Sequence, residues 1–469
     1  MKKLSLVVLA ALTSVSTLFA GGLVTNSNQS AQYIRMGSRN ASTEIDAVYY
    51  NPAGLTQMRN GWHFSLNSQT VFQDRTIQST HPLLSDVQSK GVAEYVGEVR
   101  VPVMPSFFAA YKKGKSAFSF YFGVPGGGGT AEYATGLPSF ESQVAGMPVA
   151  FNQMGLGTTG YQSDIYFNGS STYYGFQLNY SYEVNEALSL AAGFRTIVAA
   201  NAYEGHIAGI KVNPNVPAMG LTGGYMLASD LIATLQGAGV LTAAQGAAYG
   251  AMVADKNVDA AQNATGFTPI LSAHIKPNER WDIAAKYEFR TKLLLENDTK
   301  VDDTGMYKDG AETRADIPAI LAFGLNYHAG NRWILSASTT TYFDEGVEWG
   351  KDSATGLERE IDKNTTDYNV GVEYKITEKF KASAGWQYTD LGIGDNWRND
   401  ITHSFATHSV GAGVAYAFTE KLALDLAVMN TFYEPVTRNF NSSTVGAYTE
   451  TYDRSNFVFA IGVSYSIFK

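Results

Sequence analysis

The chain has 469 residues, no cysteine, a net charge of −9 and only 16% charged side chains, beside 13% aromatics and 46 glycines. Without cysteine, a disulfide framework, a thiolate metal centre and a lipid-anchored N-terminal cysteine are all excluded, and the acidic balance argues against nucleic acid, whose binding rests on clustered Lys and Arg. Beyond the N-terminus no run approaches the roughly 20 apolar residues of a membrane helix, so the composition points to an exported all-β chain with many turns and much amphipathic surface.

Met1-Lys2-Lys3, the apolar run "LSLVVLAALTSVSTLFA" and the small residues Ala20-Gly21-Gly22 have the layout of a secretory signal peptide, with cleavage expected after Ala20. Residues 1–20 are therefore set apart from the fold. Residues 21–60 show neither helical nor strand period. From there on alternation dominates: in "WDIAAKYEFR", Trp281, Ile283, Ala285, Tyr287 and Phe289 share one face, and Asp282, Lys286, Glu288 and Arg290 the other. The same period recurs at Tyr368–Lys375, Phe380–Thr389 and Leu422–Val428.

Short polar links at 112–115, 184–187, 277–280, 329–332, 377–379 and 419–421 alternate with longer ones. Strands paired across them are 102–111 with 116–123, 172–183 with 188–203, 266–276 with 281–295, 317–328 with 333–343, 366–376 with 380–390, and 405–418 with 422–433. Adding 62–78 and 452–468 gives fourteen, and a closed single-chain bacterial barrel needs an even number. An apolar, aromatic face opposite a charged one suits lipid outside and a polar lumen inside, the reverse of a soluble sandwich. The reading is all-β: a 14-stranded antiparallel transmembrane β-barrel over 61–469, with short turns on the periplasmic side.

Beyond residue 60, two stretches depart from the strand grammar. "FGVPGGGGTAEY" places Pro125 and Gly126, Gly127, Gly128 and Gly129 after an alternating run. No Lys follows, so the phosphate-loop pattern fails, leaving a flexible outer-loop spacer or a break in a strand, where proline offers no donor and glycine no side chain. Residues 209–265 form a partly helical outer loop with Met226, Leu227, Ile232, Leu235, Met252 and Val253 in an Ala-rich, amphipathic setting; a long structured loop is usually functional. Inward-facing Arg195, Lys286 and Arg290 are candidates to bind a carboxylate. Lys286 and Arg290 share their stripe with Asp282 and Glu288 and suit a lumen ion network, whereas Arg195 has no acid close by in its own strand. His403-Ser404 and His408-Ser409 would be the starting point for an outer-membrane hydrolase, but no nucleophile elbow accompanies them, and no HExxH or acidic ligand cluster calls for a metal or other cofactor.

Asn51-Pro52-Ala53, within "SAQYIRMGSRNASTEIDAVYYNPAGLTQM" just ahead of the first strand, resembles the N-terminal hatch motif of the FadL/TodX family of outer-membrane transporters for long-chain fatty acids and other hydrophobic compounds. The resemblance covers nearly the whole chain. It implies a monomeric barrel in the outer membrane of a Gram-negative bacterium, in contact with its lipid, whose lumen is closed by residues 21–60. Within that hatch Arg35, Arg39, Glu44 and Asp46 are candidates to hold it in a polar lumen by ion pairs, a solvated surface being the alternative for any one of them. It implies no enzyme activity, but passive uptake of a hydrophobic ligand, long-chain fatty acids foremost. The ligand would be captured among the outer loops, here 209–265, passed to a pocket at the hatch, and released sideways through a kink in the third strand, for which Pro125–Gly129 is the candidate. A general diffusion porin is the alternative transport reading, and a hatch would obstruct it.

Overall fold

A computed structural model describes residues 23–349, 359–394, 397–443 and 445–468; the expected signal peptide, residues 1–20, lies outside them. Fourteen strands run in chain order: β1 (Gly61–Ser79), β2 (Ala93–Lys113), β3 (Ser116–Tyr133), β4 (Tyr161–Asn185), β5 (Leu188–Val212), β6 (Lys256–Asn278), β7 (Trp281–Glu288, continued by Leu294–Asp302), β8 (Ile320–Ala329, preceded by Glu312–Arg314), β9 (Trp333–Tyr342), β10 (Thr365–Lys375), β11 (Phe380–Asp390), β12 (Thr407–Ala417), β13 (Leu422–Tyr433) and β14 (Gly446–Phe468). Each pairs antiparallel with its neighbour, and β1 closes the sheet on β14 from Gly61↔Phe468 to Ser79↔Glu450. Among the described residues, closure leaves the barrel sheet without a free edge strand, the condition for backbone to cross hydrocarbon as strands.

Alternation decides which way each residue faces. In β10, Tyr368 and Val370 are about half exposed on the outer wall while Asp367, Asn369 and Glu373 are buried inside. In β7, Ile283 and Phe289 face out and Asp282, Lys286 and Glu288 face in.

Several strands are longer than the predicted ones. β4 and β5 have 25 residues each, whereas β8 to β13 have 10 to 12. A bilayer crossing takes about 9–11 residues, so one side of the barrel projects well beyond the membrane. There the pattern inverts: in β2, Glu94, Glu98 and Arg100 face outward, and Tyr95, Val99 and Val101 are buried within. The upper wall follows the soluble rule, so an outward apolar face marks only the membrane-embedded part. The predicted 209–265 loop is correspondingly shorter, because β5 extends to Val212 and β6 starts at Lys256.

Short helices cover the projecting end: α3 (Ser85–Lys90), α4 (Pro138–Ala145), α5 (Met147–Gln153), α6 (Ala228–Gly237) and α7 (Ala243–Val253). Leu137, Phe140, Val144 and Phe151 from one loop pack into a common apolar core with Leu231, Ile232 and Leu235 from the other. Residues 23–57, including α1 (Ala31–Arg35) and α2 (Ala47–Tyr50), run inside the barrel and are almost entirely buried.

Candidate functional site

The Gly-rich stretch lies within β3, in the wall. Pairing of β2 with β3 stops at Phe107↔Phe122 and resumes at Val99↔Ala131, so residues 123–130 have no ladder partner on that side. The same stretch stays paired with β4 through two register shifts, Gly123/Gly126 and Gly127/Gly129. Three prolines contribute: Pro125, and Pro102 and Pro105 on β2 opposite, none of which can donate to a ladder. Gly127 and Gly128 have φ of 61° and 110°, the region that glycine adopts without cost.

The N-terminal segment occupies the break. Asn26 N–H donates to Pro125 O at 2.8 Å, the Asn26 amide to Val124 O at 3.2 Å and Gly127 O at 2.5 Å, and the Gln29 amide to Val124 O at 3.0 Å. Carbonyls that β2 leaves unpaired are thus satisfied by residues about 100 positions away. The fit is close, since a Cβ on Gly126 would stand 2.6 Å from Val24 O.

Beneath the break is a lumen pocket bordered by Thr25, Tyr49, Pro125, Arg195, Ile197 and Glu288. Its volume is about 10 Å³, room for one water at most. Above it Tyr173, Ile197, Ala199, Leu293, Leu295 and Ile317 form an apolar cluster against which Val24 packs. Val24 therefore packs into this apolar cluster while Thr25 borders the pocket.

The three basic candidates part company here. Arg195 makes a two-pronged pair with Glu288, Nη1–Oε2 2.7 Å and Nη2–Oε1 3.0 Å, and Lys286 reaches the same carboxylate at 2.6 Å. Both cations lie over the Tyr49 ring, at 4.5 and 4.7 Å from its centroid. Arg290 is elsewhere, donating to Asp316 at 2.7 Å and to Gly346 O. The acid for Arg195 was invisible from its own strand because Glu288 stands two strands over, on β7.

Asn51 joins α2 to a 3₁₀ turn, Pro52–Gln57. Its amide donates to Ser42 O at 3.0 Å and lies 2.9 Å from His274 Nδ1, while its carbonyl accepts from Ser272 Oγ at 3.2 Å. Pro52 begins the turn where no N–H is needed, its carbonyl accepts from Ser181 Oγ at 2.7 Å, and Ala53 is fully buried. The motif thus fixes the backbone between the N-terminal segment and β1. Further anchors are ionic: Arg35 pairs with Glu373 and with Asp425 at 3.1 Å, and Lys381 with Glu44 at 2.5 Å. Arg39 grips Asp46 with two bonds of 2.8 Å inside the segment itself.

On the outer loops, Ile232, Leu235 and Val253 are buried in the core of the cap, Met226 and Met252 are half-buried, and Leu227 is exposed. A small apolar groove lies nearby, between Phe140, Phe167, Val258 and Met306, with His206 and Lys256 on its lining. His403 is buried and stacks on Tyr452, while His408 stacks on Trp386 and Tyr388, so the two His-Ser pairs sit in separate aromatic surroundings.

Sequence reasoning missed Asn26, Gln29 and Pro102/Pro105. The available signal was the polar run "TNSNQS" just after the expected cleavage site, together with "VPVMPS" one strand before "VPGGGG".

The profile described as outer membrane protein transport protein (OMPP1/FadL/TodX) matches residues 154–467. No protein of curated function matches. Among solved structures, a Pseudomonas aeruginosa FadL homologue is similar over 95% of this chain and 99% of its own, with TM-score 0.64 and 15% identity. The P. putida toluene transporter TodX is similar over 91% and 95%, with TM-score 0.58 and 16% identity. The Ralstonia pickettii toluene transporter TbuX gives 90% and 94%, with TM-score 0.52 and 16% identity. At such identities the likeness is one of fold, and it is the family match, spanning more than half of the chain, that places this fourteen-stranded protein in the OMPP1/FadL/TodX family of outer-membrane transport proteins.

Proposed function

We propose that this protein mediates passive uptake of hydrophobic molecules, long-chain fatty acids foremost, with residues 21–60 as its hatch. The observation that carries the reading is the break in β3 closed by Asn26 and Gln29. A gap in a membrane wall that is sealed by a separate segment of the chain, beside an apolar cluster and a small charged pocket, suits a ligand leaving sideways into lipid. The filled lumen argues against an open diffusion pore.

In this reading the ligand enters from the outer loops, where the groove of Phe140, Phe167 and Met306 offers apolar contact and Lys256 a cation for a carboxylate. It then displaces residues 23–26 from the pocket of Tyr173, Ile197 and Leu293. A fatty-acid head group meets Arg195 and Lys286 there and exchanges with Glu288, two cations serving one acid. Arg290, held by Asp316, is left out of that pocket. Withdrawal of Asn26 frees the carbonyls of Val124 and Gly127 and opens the wall at Pro125–Gly129. The motif Asn51-Pro52-Ala53 keeps the rest of the hatch seated.

Uptake of labelled oleate and of a small arene by cells with and without the gene tests the transport reading. Equal uptake in both would sink it. The family residents with toluene in their names make the arene a necessary arm. Replacing Pro125–Gly129 by alternating Val and Thr tests the exit: unchanged transport would leave the stretch a spacer.

A further inference from the structure

The wall carries a second break, between β6 and β7. Pairing of β6 with β7 runs to Glu288↔Ile270 and resumes at Glu296↔Asn263, with one residue of register lost between. Within the interruption, Phe289 N–H donates to Pro269 O at 3.0 Å, and the Thr268 and Thr291 hydroxyls touch. On its other edge β6 stays paired with β5 without a shift, from Leu188↔Ile275 to Ile207↔Lys256. The defect therefore belongs to one seam and not to a generally irregular strand.

Its composition parallels that of the β2–β3 break. Pro269 supplies no donor, and Gly266 has Thr291, Lys292 and Leu293 pressed against it so closely that a Cβ would lie 2.6 Å from Thr291 Cγ2. The displaced chain is pinned by Asp316, which accepts from Leu293 N–H at 3.1 Å and from Arg290 and Arg314.

Location gives the seam its meaning. The row Gly123↔Gly175, Gly175↔Ile197 and Ile197↔Gly266 runs from one break to the other across β4 and β5. The lumen pocket touches both: Pro125 borders it from one side, and Thr268, Phe289, Thr291 and Pro318 from the other. Phe289 lines the pocket and is also 42% exposed on the outer wall. Phe267 and Leu294, flanking the seam, are about half exposed as well, an apolar surface that suits lipid.

We infer that the β6–β7 seam is a second lateral portal, through which a slender hydrophobic molecule passes between the lumen pocket and the lipid, with Phe289 as its movable leaf. The inference rests on the transport reading above. Among the described residues no hatch side chain is bonded to Pro269 or Phe289, and Phe289, which lines the pocket and is exposed outside, is the side chain whose rotamer change opens the portal once residues 23–26 have withdrawn.

The native chain has no cysteine, so a staple is clean. Thr268→Cys/Thr291→Cys is made in the wild type and in the variant with Pro125–Gly129 replaced by Val and Thr, and radiolabelled oleate uptake is measured oxidised and reduced. The expected result is at least a twofold loss on oxidation in the wild type, near-complete loss in the replaced variant, and recovery with reductant. Uptake that ignores oxidation in both backgrounds overturns the portal while leaving the transport reading intact; no uptake by the wild type above the vector control overturns both. Phe289→Ala and Phe289→Trp, which need no new bond, provide the second measurement in barrels checked for heat-modifiable migration. Faster uptake with Ala than with Trp, at least twofold, supports the portal, and equal rates refute it.

Discussion

Asn26→Ala should loosen the closure of the β3 break by an amount that can be worked out. The amide of Asn26 donates to Val124 O and Gly127 O, and Val124 O keeps a second donor in Gln29. Alanine therefore strips Gly127 O of its Asn26 donor inside the barrel, at a cost of about 1–3 kcal/mol for an unsatisfied group. The barrel wall is held by its own ladders, so the cost falls on the docked position of residues 23–26. That shifts the docked-to-undocked ratio by about 5- to 150-fold. Thr25 is only 6% exposed and borders the pocket, so Thr25→Cys reports undocking in a chain with no other thiol. The assay is the rate of maleimide modification in outer-membrane preparations, with and without Asn26→Ala. Local opening faster than labelling makes the rate follow the open population. A rise of at least fivefold, with unchanged heat-modifiable migration, is expected. Rates within twofold of each other would show that the Asn26 amide does not hold residues 23–26 in the break.

Arg35→Ala leaves the buried carboxylates of Glu373 and Asp425 without their shared cation and should destabilise the seated N-terminal segment by about 3–5 kcal/mol, seen as a lower urea midpoint for protease protection of residues 23–57. Arg195→Ala should weaken oleate binding by roughly tenfold, the scale of one charge-assisted contact, with little change for toluene; equal loss for both would assign Arg195 a purely structural role beside Glu288. Asp344, in a short 3₁₀ turn (Asp344–Gly346) of the outer loop between β9 and β10, is fully buried, and burial raises its carboxyl to about 7. The folded loop keeps a proton that the unfolded loop loses near pH 4, so loop stability falls as pH rises from about 4 to about 7. The protection of residues 343–349, taken relative to the intrinsic rise of amide exchange with pH, should fall across that window, and Asp344→Asn should flatten that fall.

The membrane-embedded wall was legible because its rule is local. In β7 or β10 each residue faces opposite to the next, lipid and lumen differ in polarity, and ten residues suffice to reveal the pattern. The upper wall was not, since outside the bilayer both faces obey the soluble rule and Glu94 or Glu98 on the outside of β2 reads like loop. Arg195 lacked an acid in its own strand, and alternation along one chain segment cannot report a partner such as Glu288 that the hydrogen-bonding direction brings alongside. The outer cap shows the same limit: its amphipathic residues were identified, but burial of Ile232 and Leu235 follows from packing against Leu137 and Phe140 of another loop.

The sequence by itself determined the strand number, the lipid-facing band and the peculiarity of "VPGGGG", because period two, turn chemistry and the absence of donors are properties of neighbouring residues. Only the tertiary structure decided that the stretch lies in the wall and that Asn26 closes it, across separations of 98 and 101 residues. The physical reason is that an unpaired carbonyl has no sequence signature of its partner: it takes whichever donor the closed barrel brings within reach.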